Sequence, residues 1–362
     1  MDSKKYNNTK LSLSILKGIL TFILLFLLVA KNTSRNLENY LSSFSSNNYI
    51  IFLLFIFSVG VLFSIIFFPL NYYTDFYLEH KYNLSNQTFF KWVLEGVKAL
   101  LVSLVIGTPI MLFLFYALNK YGSLWWLPFA ILLFIVSVVL ARIVPTIILP
   151  LFYKVVPLEN EDLKKRISVL AGDAGIKVEN IYSFDMSKNT KKANAAFTGL
   201  GKSKRIILGD TLLENFSVDE IETVIAHELG HYKKKHILKN IIIGTLSSFL
   251  TLFLIALLYD SSLRYFGFEY RTIIAAIPLL SLWAMIIGLV QAPLTNMLSR
   301  KYEYEADNYS VAVTKKPDVF VNALQKLNKQ NLGDDSPHPL IEWYFYSHPS
   351  INKRIKKIKV NI

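Results

Sequence analysis

The sequence predicts a mainly α-helical, polytopic membrane protein with a smaller α+β portion that is split by a two-helix hairpin. Three observations predict it. The 362 residues are 53% hydrophobic and only 18% charged, whereas soluble domains carry about 25% charged residues. Apolar runs near the roughly 20 residues that a bilayer crossing needs recur at 13–30, 50–70, 97–118, 125–151, 237–259 and 273–290. Two stretches, 152–236 and 298–362, instead mix charges with apolar positions. The chain therefore divides into N-terminal spans (1–151), a polar region (152–236), a membrane hairpin (237–297) and a polar tail (298–362).

The first apolar run follows Lys4, Lys5 and Lys10, as in a signal peptide. No small-x-small cleavage site follows it cleanly and five more runs come after, so it reads as a retained helix. The fourth run is the longest and holds Pro145 and Pro150; it is either one tilted helix or two spans, which makes the count six or seven. In the first polar stretch, Asp162–Ala174 puts Leu163, Ile167, Leu170 and Ala174 on one helical face and stops at Gly175. "IKVENIYSF" then reads as a strand, and "NAAFTGLGKSKRIIL" as a hairpin turning at Gly199–Lys204. The tail is helical in pattern and basic.

A two-helix hairpin returns the chain to the side it left, so both polar stretches share one side. They hold most of the 39 Lys and Arg, which makes that side the cytoplasmic one under the positive-inside rule. The net charge of +13 is thus placed beside the spans, and nucleic acid is not expected as a partner. There is no cysteine, so disulfides and thiolate metal sites are excluded and any metal must be held by His, Asp or Glu. No inverted halves of the transporter kind occur.

Ser217-Val-Asp-Glu220 is a capping box and marks a helix start. Ten residues on, "HELGH" places His227 and His231 at i and i+4, where both imidazoles reach one ion. Glu228 lies beside them, placed to take a proton from a water that the ion activates. A buried histidine pair is the bland alternative. A catalytic zinc needs a third protein ligand and one open position. His80, His236, His338 and His348 are the remaining histidines, and the acidic candidates cluster in "SRKYEYEADNYS". Glu303 and Asp307 share a helical face, so Glu303 is expected on the metal and Asp307 on a ligand imidazole. Glu305 points about 200° away and is the poorer candidate.

"NAAFTGLGKSKRIILGDTLL", "HELGHYKKKH", "EYEAD" and "YSHPSINKR", in this order, resemble the M48 zinc metalloproteases, and more narrowly the type I CAAX prenyl proteases. "FPLNYYTDFYLEHKYNLSNQT" and "ILPLFYKVVPL" extend the likeness upstream, so it covers most of the chain after about residue 65. The resemblance implies a zincin-type fold, one Zn²⁺ held by His227, His231 and Glu303, and Glu228 as base. It implies that Asn194 and Ala195 belong to an edge strand pairing with substrate backbone, a means of holding a peptide extended. It implies that His348 and Arg354 are donors toward the tetrahedral oxyanion. His236 matches the pattern as well and receives no role.

The implied function is zinc-dependent endopeptidase action on membrane-associated or prenylated substrates, with membrane lipids and a peptide or protein, lipidated or not, as partners. Eukaryotic members have seven spans. The short loop at 213–217 lacks the charged insert of some eukaryotic relatives, which points to a prokaryote and its inner membrane, the ER membrane being the eukaryotic equivalent. Three other functions fit less well: a lipid-indifferent quality-control protease, an inactive scaffold, and an ion-regulated channel or transporter, for which the spans hold few charges.

Overall fold

A computed structural model describes residues 2–175, 181–199 and 205–360. The chain opens with α1 (Asp2–Ala30), α2 (Thr33–Ser42) and α3 (Asn48–Asn71), which runs through a wide turn at Tyr72–Tyr77 into α4 (Leu78–Lys81). Next come α5 (Phe89–Tyr121) and α6 (Trp126–Ile143), the latter continuing through a second wide turn at Val144–Ile148 into α7 (Leu149–Phe152). The long apolar run is therefore one span. Pro145 cannot donate to the helix ladder, and the wide turn absorbs the missing bond without reversing the chain. Six helices among the described residues are long and apolar enough to cross a membrane.

The polar region folds as β1 (Val155–Pro157), α8 (Glu161–Asp173), β2 (Ile181–Phe184), β3 (Ala195–Thr198), β4 (Arg205–Gly209), α9 (Asp210–Asn215) and α10 (Val218–Lys233). The strands form one sheet in the order β1-β2-β4-β3, with β2 and β4 parallel and the other pairs antiparallel. The expected strand at 176–184 is present as β2, and the expected hairpin is the β3–β4 pair; 176–180 and the turn residues 200–204 lie outside the described residues. Then come α11 (His236–Ser262), α12 (Ile277–Thr314), α13 (Pro317–Gln330), α14 (Pro339–Phe345) and α15 (Ile351–Val360). α12 is far longer than the apolar run 273–290 that marks it in the sequence. It crosses position 297/298 unbroken, so a single helix belongs to both the membrane and the polar half.

Among the described residues, two large cores are accompanied by two small ones. The first joins the spans at a single end, through Val29 of α1, Phe52 and Phe55 of α3, Phe115 and Leu118 of α5, Tyr259 of α11 and Leu279 of α12. In the other halves of the spans Ile19, Ile65, Leu101 and Val105 stay exposed, while Lys17 of α1 donates to Asn71 of α3 at 2.7 Å and Phe68 of α3 packs on Trp92 of α5. The second core packs Ile167 of α8, Ile206 and Leu208 of β4 and Ile225 and Leu229 of α10, beyond the other ends of the spans.

The N-terminus lies at that same end. Tyr6 Oη donates to Glu79 Oε1 at 2.5 Å and Asn7 Nδ2 donates to the Leu332 carbonyl at 2.6 Å. Lys10 and Lys192 reach Glu79 at 2.6 and 2.8 Å. Six crossings, an even number, agree with this placement.

Candidate metal centre and catalytic site

α10 begins as its sequence dictates. Ser217 Oγ accepts from the Glu220 amide at 3.3 Å, and Glu220 Oε2 accepts from the Ser217 amide at 2.8 Å. The helix then presses against α12 along small residues: Ala226 and Ala306 are fully buried, and Ser310 Oγ donates to the Thr223 carbonyl at 2.7 Å. Gly230 sits at the closest approach. A Cβ there would lie 3.0 Å from the Ala306 Cα and 3.1 Å from its carbonyl oxygen. Glycine in a helix costs about 0.8–1 kcal/mol relative to alanine, and here it lets the two backbones meet.

This contact brings His227, His231 and Glu303 together. His227 Nε2 and His231 Nε2 are 3.2 Å apart, and they lie 3.5 and 3.3 Å from the Glu303 carboxylate oxygens. Bonds of about 2.0–2.1 Å in a tetrahedron put neighbouring ligand atoms about 3.3–3.4 Å apart; the two nitrogens are near this spacing and each faces one of the two Glu303 oxygens, so the three side chains fit one zinc. Two nitrogens and one oxygen are the donor set zinc takes in catalytic sites that keep an open position. His227 and Glu303 are buried. Glu228, half-buried, lies between the two histidines on α10.

Asp307, one turn beyond Glu303, accepts from His227 Nδ1 at 2.9 Å and is 2% exposed. Arg354 of α15 grips the same carboxylate with two nitrogens, Nε at 2.9 Å and Nη2 at 2.5 Å. Burial disfavours a charge on His227, but the hydrogen bonds with Asp307 and Glu303 and the Asp307 charge outweigh it and push its pKa up to about 9. His348 Nδ1 lies 3.1 Å from Glu303 Oε2, with its side chain 65% exposed. The loop that carries it is held from below: Arg300 donates to the Glu342 and Tyr346 carbonyls, and the buried Glu342 carboxylate accepts from the Ser350 amide.

Residues 157–362 match the model of peptidase family M48, and residues 1–154 match the "CAAX prenyl protease N-terminal, five membrane helices" model. The chain belongs to peptidase family M48. Its fold is also that of the crystal structure of S. mikatae Ste24p, with a TM-score of 0.88, 29% identity, and 99% of this chain and 88% of that one covered. It is 35% identical over 307 residues to CAAX prenyl protease 1 of Saccharomyces cerevisiae, covering 79% of this chain and 67% of that one. It is 30% identical over 365 residues to the metalloprotease YhfN of Bacillus subtilis, covering 98% and 84%. It is thus a multi-pass membrane metalloendopeptidase of a zinc-dependent family. The N-terminal model's description has five membrane helices; among the described residues up to 154, four helices are of membrane-crossing length, and α2 has 10 residues.

In this M48 chain the sequence-derived residues lie as follows. His227, Glu228, His231, Glu303 and Asp307 come together on α10 and α12, and His348 stands at their exposed side. Arg354 reaches the centre, where two of its nitrogens grip Asp307 and Nη1 is 3.5 Å from Glu303. Ala195 opens β3, an outer strand of the sheet. The exposed Asn194 precedes it and accepts from the Gly209 amide at 2.9 Å. Phe197 of the same strand packs on Tyr232, next to His231, with ring centroids 5.2 Å apart. Two polar residues at the centre had no place in the sequence reading. His236, given no role, is 1% exposed and abuts His231, and Glu305, set aside as a ligand, reaches His236. The spacing H-E-x-x-H-x₄-H signalled the first, and the second stood among the acidic candidates with nothing in the sequence to place it against His236.

Proposed function

We propose that the chain hydrolyses peptide bonds of membrane-associated substrates, prenylated chain ends among them, at a single zinc centre on the cytoplasmic face. The observation that carries this reading is the height of the centre. About 20 residues of α12 from Ile277 span the bilayer, which leaves Glu303 roughly 9 Å beyond it at about 1.5 Å per residue. His231 lies five residues before α11 begins. A substrate anchored in the bilayer by a lipid therefore meets the centre without leaving the membrane surface. The far end carries Lys31, Arg35, Lys120, Arg264 and Arg271, and most of the remaining Lys and Arg lie at the catalytic end, which favours a cytoplasmic centre.

When bound, zinc supplies Lewis acidity, activating water and polarising the scissile carbonyl. Glu228 takes the proton and delivers it to the leaving amine. β3 holds the peptide extended by backbone pairing, with Asn194 and Ala195 at its entry. His348 donates toward the oxyanion from the exposed side. Asp307 fixes His227, and Arg354 holds Asp307.

The test is hydrolysis of matched peptides with and without a farnesyl group, with and without chelator. Each buried CH₂ of a lipid contributes about 0.8 kcal/mol to partition, so farnesyl should lower KM more than it raises kcat, and chelator should abolish both activities. Equal kinetics on the two peptides would favour a lipid-indifferent endopeptidase. The backbone-only pairing offered by β3 supports that second reading. Glu228→Gln should keep zinc and lose about a hundredfold to ten-thousandfold in kcat; near wild-type turnover would remove Glu228 from the mechanism.

A further inference from the structure

We propose that His236 and Glu305 are positioning residues that hold the ligand His231 through a directed chain of hydrogen bonds. The inference rests on the zinc reading above. His231 turns Nε2 toward His227 and Glu303, and its other ring nitrogen, Nδ1, lies 3.0 Å from His236 Nδ1. His236 Nε2 in turn lies 2.9 Å from Glu305 Oε2. A metal on His231 Nε2 leaves the ring proton on Nδ1, so His236 Nδ1 must accept it. The proton of neutral His236 then resides on Nε2 and is donated to the Glu305 carboxylate. Only one sequence of donors fits.

The backbone is arranged to make this contact. In a continuous helix, His236 would stand about 140° around the axis from His231. Lys235 instead adopts φ 58°, ψ 31°, between α10 and α11. This left-handed conformation is uncommon outside glycine, and it turns the first residue of α11 back under His231. Once there, the ring is fixed by stacking on Tyr302, with centroids 4.1 Å apart and planes 10° from parallel. Glu305 closes the chain from α12, with Lys239 of α11 at 4.0 Å. Each ligand histidine thus has its own support. His227 leans on Asp307 directly and His231 on Glu305 through His236, with both carboxylates drawn from the helix that supplies Glu303. Oriented ligand imidazoles are a general requirement of zinc sites, and loss of such a partner typically lowers metal affinity about 10–100-fold.

The test is zinc affinity of the full chain in detergent, read by chelator competition, with the visible spectrum of the Co²⁺ form as a second readout. His236→Leu keeps much of the volume and removes both nitrogens. It should weaken zinc about 10–100-fold and alter the Co²⁺ bands, with little change in the thermal midpoint of the metal-free protein. His236→Gln supplies an oxygen to accept from His231 and an amide to donate to Glu305, and should recover most of the loss. Glu305→Ala, at a partly exposed position that folding tolerates, should weaken zinc by an intermediate factor. Wild-type affinity in His236→Leu or in Glu305→Ala, or equal losses for Leu and Gln at 236, would overturn the relay. A wild-type chain that binds no zinc would instead overturn the reading beneath it.

Discussion

Arg354 is the residue at which sequence likeness and geometry lead to different experiments. A donor to the oxyanion would affect turnover alone. The structure buries Asp307 and gives its carboxylate to Arg354 and His227, so Arg354→Met removes one of the two partners of a buried charge, and breaking such a pair typically costs up to about 3–5 kcal/mol. We expect a clear fall in thermal midpoint, partly restored by adding Asp307→Asn; an unchanged midpoint with lost turnover would return Arg354 to the oxyanion. His227 gives a pH signature. Its pKa in the metal-free fold is raised from 6.5 to about 9. The stabilisation from its proton is therefore full below about 6.5 and is lost as pH rises through 9. Zinc competes with that proton, so apparent zinc affinity should climb about tenfold per pH unit between 7 and 9 and then flatten. A flat profile across this range would contradict the assignment.

Helix contacts decide the site at the next scale. α10 carries two ligands and α12 the third, and their separation is set by Gly230 against Ala306. Gly230→Ala would gain intrinsic helix propensity, yet its methyl must push backbone atoms aside, and overpacking of this kind costs about 1–3 kcal/mol. Because the ligands sit on the two helices being pushed apart, zinc affinity should fall with stability. Unaltered zinc binding with a raised thermal midpoint would show that the helices have room. The capping box at Ser217 was legible in four residues, because the hydrogen bonds that define it are local. The turn at Lys235 was not: nothing in "HYKKKH" marks a left-handed residue, and the Tyr302 and Glu305 that meet His236 lie more than sixty positions away.

Across the whole molecule, the structure supports six crossings where the sequence left six or seven. Tyr6 and Asn7 meet Glu79 and Leu332 at the catalytic end, and residues 125–152 form one span. Reporters at the N-terminus and at Lys329 should therefore read the same side, and one at Arg264 the opposite side. An N-terminus on the Arg264 side would break the six-span arrangement.

The sequence by itself determined where the apolar spans lie, the α10 helix with His227, Glu228 and His231, and the face of α12 that bears Glu303 and Asp307. These follow from composition and from helical periodicity, which act over a few residues. Only the tertiary structure decided that α12 continues from the membrane into the site, that Arg354 serves Asp307, and that His236 joins His231 to Glu305. Those facts depend on which distant side chains a close helix crossing and one left-handed turn bring within hydrogen-bond reach, and periodicity carries no record of such contacts.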